Sequence, residues 1–117
     1  AGFDVDTVNR ISAEQFEKEV KIGESKVVDI RKESEYEAEH LEDAYSKPLA
    51  YINDWVKGIN PNEHFFMHCA GGYRSMIAAS ILQARGYRNF SEIDGGFNAI
   101  AKTELPKTNF ICQSKVL

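Results

Sequence analysis

The stretch "HFFMHCAGGYRSMIAASILQARG", residues 64–86, decides the fold. His64 to Cys69 is a short run of bulky, largely apolar residues, the pattern of a strand buried on both faces. Ala70-Gly-Gly-Tyr73 supplies the backbone freedom of a turn. From Ser75 to Arg85 the apolar residues recur at helical spacing. Ile77, Ala78, Ile81 and Leu82 share one face, and Gly86 sits where a helix end favours a left-handed residue. Strand, glycine turn and helix follow one another directly, with a cysteine at the strand's carboxyl end.

Outward from this stretch the same alternation repeats. Ser12 and Gln15 form a capping box, and Ala13, Phe16 and Val20 then predict a helix over 13–21. "KVVDI", residues 26–30, is a β-branched run and reads as a buried strand. Ser34 and Glu37 form a second capping box that opens a short acidic helix. "AYSKPL" around Pro48 reads as extended, and Ile52, Trp55 and Val56 mark one face of another short helix. "NFSEI", residues 89–93, is a third strand, and Asp94-Gly-Gly96 turns into a helix from Phe97 to Lys102. The tail from 103 to 117, with Pro106, reads as irregular. Strands alternating with helices predict an α/β fold with a mainly parallel central sheet and helices on both faces.

The chain has 117 residues, 43% hydrophobic and 27% charged, which predicts one soluble domain over 1–117. A net charge of −4 gives no basic face for nucleic acid. No apolar run approaches the roughly 20 residues of a membrane span, and "AGFDVDTVNR" has no apolar signal core. The chain does not begin with methionine, so a processed protein and a domain of a longer one are both open. Cys69 and Cys112 are the two cysteines, too few for a disulfide scaffold and without metal-ligand spacing. A reducing compartment, the cytoplasm, is the expectation.

A thiol is a nucleophile only as thiolate, and helix N-termini and nearby cations favour that form. After Cys69, the backbone amides of Ala70 to Tyr73 lead into a helix start and can form an anion nest. Gly71 and Gly72 let those amides turn inward, Arg74 adds a cation, and Ser75 can cap the helix or hydrogen-bond the sulfur. Two reaction classes use a cysteine in an anion-binding loop that ends in arginine. Cysteine phosphatases place five residues between cysteine and arginine, in the pattern HC-x5-R-[ST]. Here there are four: Ala70, Gly71, Gly72 and Tyr73.

"CAGGYRS" resembles the six-residue active-site loop of single-domain rhodaneses. The resemblance extends upstream, where Asp29, Arg31, Glu35, Tyr36, His40, Ala44 and Pro48 match the family pattern Asp-x-Arg, Glu-Tyr, Gly-His-Ile-x-Gly-Ala-x-Asn-x-Pro. Glu39, Asp43 and Ser46 replace its Gly, Gly and Asn. "GYRNFSEIDGGFNAI" is similar to the C-terminal motif, with Phe97 and Ile100 where tryptophans are common, a change expected to reshape the pocket wall. The similarity covers roughly residues 10–102.

The resemblance implies a rhodanese-like fold and a sulfurtransferase. Cys69 would take a sulfane sulfur from thiosulfate or a persulfide, held by a small molecule or a protein, and pass it to a thiol or cyanide. The loop Ala70 to Ser75 would stabilise the persulfide, and no metal or organic cofactor is implied. Ala70 stands where many thiosulfate-using members carry a cation, which favours a persulfide or protein donor. Asp29, Arg31 and Glu35 are expected to support the loop, and Arg74 either binds an anionic donor or pairs inward with Glu35 or Asp29. Tyr73 is expected at the loop tip. His68, by strand alternation, faces away from Cys69 and is expected to be a satisfied structural histidine, with His40 and His64 also structural or at the surface. Trp55 reads as core and Cys112 as a bystander. The alternatives are a cysteine phosphatase and a rhodanese-like regulatory or docking module. "CAGGYRSMIAAS" also resembles the rhodanese unit of fusions with a metallo-β-lactamase-fold persulfide dioxygenase, so a fused or partner persulfide-handling domain is a further expectation.

Overall fold

The structure, a computed structural model, describes residues 9–21 and 24–108. Its elements follow in chain order as β1 (Asn9–Ile11), α1 (Ala13–Glu19), β2 (Val27–Asp29), α2 (Glu33–Ala38), β3 (His40–Leu41) and β4 (Tyr45–Ser46), then a 3-10 turn (Leu49–Tyr51) leading into α3 (Ile52–Trp55). A second 3-10 turn (Val56–Gly58) precedes β5 (Phe65–His68), α4 (Tyr73–Ala84), β6 (Phe90–Ile93), α5 (Gly96–Ile100) and β7 (Lys107–Thr108). Five strands form one sheet in the order β1-β6-β5-β2-β4, and every pairing within it is parallel. Met67 of β5 lies between Val28 of β2 and Glu92 of β6, so the strand that delivers Cys69 is the middle one.

Alternation along β5 divides the core. Phe65, Met67 and Cys69 face one layer, with Ala78, Ala79 and Leu82 of α4 and Ile52 and Trp55 of α3. Phe66 faces the other, with Phe16 of α1, Tyr36 of α2 and Phe97 and Ile100 of α5. Helices therefore cover both faces, as a parallel sheet of apolar strands requires. Phe16 is fully buried and meets Phe66 edge-on, ring centroids 5.0 Å apart.

Local signals explain most element ends. Ser12 caps α1 by accepting the Gln15 N–H at 3.0 Å, but the Gln15 side chain donates forward to Glu19 and not back to the cap. At the end of α4, Gly86 takes φ 89°, its N–H donates to Gln83 O and the Tyr87 N–H donates to Leu82 O. That is the double bond of a Schellman motif.

Four expectations are corrected. Helix α4 starts at Tyr73, not Ser75: Gly72 at φ 97° is the cap, and Ser75 lies in the first turn with its hydroxyl donating to Gly72 O. Its buried face carries Ser75, Ala78, Ala79, Leu82 and Gln83, while Ile77 is 47% exposed. Small residues let the helix approach the sheet, and the bulky Ile77 turns outward. Helix α2 starts at Glu33 behind Lys32, so Ser34 is no cap; the Glu35 carboxylate accepts the Lys32 N–H at 3.2 Å. The tail is not wholly irregular: β7 pairs antiparallel with β3, and Glu42 N–H donates to Pro106 O. Cys112 lies outside the described residues.

Candidate active site

Cys69 follows β5 at the carboxyl edge of the sheet and is fully buried. Its Sγ accepts backbone N–H groups from Gly72 at 3.1 Å and Ser75 at 3.3 Å. The Ser75 hydroxyl donates to Gly72 O at 3.1 Å and accepts from the thiol at 3.6 Å. Both amides belong to the first turn of α4 or its cap, groups that a helix leaves without internal partners. The turn therefore offers its unpaired donors and the positive end of its dipole to one sulfur atom.

What turns those amides inward is the fixing of the loop's carbonyls outward. Phe97 N–H donates to Cys69 O at 2.6 Å and Asn98 N–H to Ala70 O at 2.9 Å, so α5 grips the start of the loop through its own free amides. The grip depends on Gly96. It has φ 56°, and a Cβ there would sit 2.4 Å from Cys69 O and 2.8 Å from the Ala70 carbonyl carbon and oxygen. Gly72 approaches Gly95 in the same way, its added Cβ 3.2 Å from Gly95 N. The sequence marks Asp94-Gly-Gly96 only as a turn; its close contact with a loop some 26 residues upstream is tertiary information. His68 adds a second bond to Cys69 O, through Nδ1 at 3.1 Å.

Arg74 does not point into the loop. It forms a two-pronged ion pair with Glu35, Nη1 to Oε1 at 2.7 Å and Nη2 to Oε2 at 3.1 Å. Of its two expected roles, inward pairing is the one adopted, and Glu35 rather than Asp29 is the partner. This pair ties the first turn of α4 to α2 across the mouth of the loop. The guanidinium holds the Glu35 carboxyl down to about 2, by hydrogen bonding and charge against a smaller opposing effect of burial.

Asp29 and Arg31 form a separate, buried pair. Arg31 donates to both Asp29 carboxylate oxygens, at 2.7 Å from Nη2 to Oδ2, and to Glu39 O at 2.7 Å. Its guanidinium lies over the Phe97 ring, 4.2 Å from the centroid. On the ring's account, Phe97 also stacks against His68. The group lies in the layer on the opposite side of the sheet from Cys69 and braces α5, whose amides hold the loop. Phe97 and Ile100 thus belong to the core beneath the loop and do not form a pocket wall, which corrects that expectation. His68 does face away from Cys69, but its Nε2 has no hydrogen-bond partner and lies 3.9 Å from Asp29 Oδ2. It is therefore only half satisfied, and burial pushes its pKa down.

The other singled-out residues fall as follows. Tyr73 is 72% exposed at the loop tip and Ala70 is half-buried. His40 is buried, bonded through Nδ1 to Tyr36 O and stacked on Tyr36; His64 bonds Ser91 Oγ. Trp55 is core and donates to Pro48 O. Asp43, standing where the upstream motif has glycine, takes φ 67°. Among the described residues no group of three or more His, Cys, Asp or Glu could hold a metal, and no helix is long and apolar enough to cross a membrane. Sequence reasoning passed over Arg10 and Glu92, which pair beside the loop at 2.7 Å.

Residues 12–103 match the family described as "Rhodanese-like domain". A tRNA uridine(34) hydroxylase of Leptospira interrogans is 31% identical over 107 residues, 85% of this chain and 29% of that protein. A putative sulfur carrier protein of Bacillus subtilis, YrkF, is 28% identical over 91 residues, 77% of this chain and 49% of that one. The chain thus spans between under a third and about half of these relatives' length. Among solved structures, a rhodanese-related protein from Thermoplasma volcanium shares the fold with a TM-score of 0.77 at 20% identity, covering 87% of this chain and 99% of that one. A rhodanese-like domain protein from Staphylococcus aureus gives 0.74 at 26% identity, covering 85% and 97%.

Proposed function

The chain belongs to the rhodanese-like family, and from that premise we propose that it is a sulfurtransferase that carries a sulfane sulfur on Cys69 as a persulfide. The observation that carries this reading is the convergence of the Gly72 and Ser75 amides on Sγ, inside a loop with four residues between Cys69 and Arg74. The relative named as a putative sulfur carrier supports it. The hydroxylase relative is matched over 29% of its length and lends no activity to this chain.

In the first half-reaction the Cys69 thiolate attacks the outer sulfur of the donor. The donor's S–S bond breaks, its electron pair leaves as a thiolate or as sulfite, and Cys69–S–S⁻ remains. In the second, an acceptor thiolate or cyanide attacks that outer sulfur, and the S–S electron pair returns to Sγ. The Gly72 and Ser75 amides serve the thiolate at the start and end of the cycle, an oxyanion-hole role transferred to sulfur. The Ser75 hydroxyl can swing from Gly72 O to the sulfur when the thiol loses its proton. Because Arg74 is committed to Glu35 and Ala70 is neutral, the loop supplies little side-chain charge for a dianion. This favours a persulfide donor, free or presented by a protein or fused domain, over thiosulfate.

The test is mass spectrometry of the intact protein after exposure to thiosulfate or glutathione persulfide. The wild type should gain one sulfur, more readily from the persulfide, and Cys69→Ser should not. No gain in the wild type, or an equal gain in Cys69→Ser, refutes the reading. Hydrolysis of an aryl phosphate that depends on Cys69 would point to the phosphatase alternative.

A further inference from the structure

A cavity of ≈ 440 Å³ lies against the outer side of the cysteine loop, walled by Gly71, Gly72, Arg10, Glu92 of β6 and Asp94 just after it, with Tyr73 and Met76 at its rim. Its charges are unusual for a surface cleft. Glu92 is 1% exposed on the interior strand β6, on the same side of the sheet as Met67 and Cys69. One carboxylate oxygen, Oε1, accepts Arg10 Nε at 2.7 Å. The other, Oε2, is buried with no hydrogen-bond partner. A buried carboxylate oxygen left without a donor carries a desolvation cost that a bound donor would relieve. Arg10, with its side chain 43% exposed, spends its Nε on Glu92, and its Nη groups make no hydrogen bond among the described residues.

The cavity therefore presents an open cationic fork beside a buried carboxylate whose second oxygen has no donor. Asp94 adds a second carboxylate, so a dianion such as thiosulfate meets more repulsion than attraction there. A ligand with both signs satisfies both groups: a carboxylate on the Arg10 Nη fork and an ammonium on Glu92 Oε2. Tyr73 and Met76, exposed by 72% and 50%, give apolar cover to the carbon chain between that head and a sulfur.

We infer that this cavity binds the α-amino-acid head of a thiol acceptor, through Arg10 and Glu92, and so directs its sulfur to the Cys69 loop. The inference rests on the sulfurtransferase reading and names the acceptor class for it. The acceptor thiolate R–S⁻ attacks the outer sulfur of Cys69–S–SH. A new S–S bond forms, the old one breaks, and the products are R–S–SH and the Cys69 thiolate, with no outside oxidant or reductant.

Binding is tested without any persulfide, by following backbone amide NMR shifts of the wild type during titration with S-methyl-L-cysteine, which has the head but no thiol. Its amine-only analogue 2-(methylthio)ethylamine and acid-only analogue 3-(methylthio)propionate are compared. The zwitterion should give saturable shifts at Gly71, Gly72 and Glu92, and each analogue should bind at least about tenfold more weakly. Glu92→Gln and Arg10→Gln should each weaken the zwitterion by a similar factor. Arg10 is half-exposed, so its variant carries the test if Glu92→Gln does not fold. In the loaded protein, the same variants should slow transfer to cysteine by a larger factor than transfer to 2-mercaptoethanol. Absence of saturable wild-type shifts, equal binding of the analogues, or unchanged binding in a folded Arg10→Gln overturns the inference. Failure of Cys69 to accept sulfur overturns the function reading instead and leaves the titration readable.

Discussion

Replacing Gly96 by alanine should damage the cysteine loop without touching it in sequence. Two costs add. An L-residue at φ 56° loses roughly 1–2 kcal/mol to steric conflict with its own backbone. The new Cβ also meets Cys69 O at 2.4 Å and the Ala70 carbonyl at 2.8 Å. Those are backbone atoms and cannot swing aside, so α5 must back away. It then gives up the Phe97 and Asn98 bonds to the two carbonyls, about 1 kcal/mol each. The total is on the order of 3–4 kcal/mol, a fall in melting temperature on the order of 15 °C for a chain of this length. Two other glycines calibrate the result. Gly86→Ala has φ 89° but open space, and should cost only the conformational part, roughly 1–2 kcal/mol. Gly58→Ala has no contact within 4 Å and no positive φ, and should change stability by less than about 0.5 kcal/mol or raise it slightly. Urea denaturation of the three variants measures the series. A second readout is sulfur loading of Cys69, which should fall in Gly96→Ala beyond its loss of folded protein and stay normal in Gly86→Ala. If Gly96→Ala costs no more than Gly86→Ala, the grip of α5 on the loop is not what shapes it.

Three further outcomes follow from single groups. The Glu35 carboxyl, held at about 2 against an ordinary 4.5, contributes stability that is present above pH 4.5 and lost as pH falls toward 2. Both partners are about a third exposed, so Glu35→Gln should cost no more than about 1 kcal/mol at neutral pH, with the gap to wild type closing below 4.5 in denaturation curves. His68 is buried neutral with its pKa pushed below 6.5, so the unfolded chain takes up a proton first as pH falls; stability should drop below pH 6.5, and His68→Gln should flatten that drop. Because Sγ is fully enclosed, a bulky aromatic disulfide should label native Cys69 far more slowly than the unfolded chain, while small alkylating agents are less retarded; equal rates for both reagents would contradict the enclosed geometry.

The fold was legible wherever the information is local. The apolar run of β5, the capping serine of α1 and the Gly86 helix stop each act within one turn or one strand, and each stands as read. The place of Cys69 at the carboxyl end of β5 follows from the same local pattern. Misreadings arise where a partner is distant. Ser75 reads as a cap or as a partner of the sulfur; left-handed Gly72 is the cap and starts the helix earlier, and Ser75 bonds the sulfur. Ile77 looks like core, yet the face of α4 turned to the sheet is the one carrying Ser75, Ala78, Ala79 and Leu82, and Ile77 lies outside it. β7 exists because β3 offers an edge far upstream, which no property of Lys107 and Thr108 announces. Arg10 and Glu92 are 82 residues apart and ordinary in type; only the parallel pairing of β1 with β6 brings them together beside the loop.

The central claim is that Cys69 itself carries the sulfur. Peptide mapping of the persulfide-treated protein, with free and persulfidated thiols alkylated before digestion, tests it most directly because Cys112 is resolved from Cys69. The account predicts the extra sulfur on the Cys69 peptide and its disappearance when an acceptor thiol is added. Extra sulfur confined to the Cys112 peptide, or sulfur on Cys69 that no acceptor removes, contradicts it.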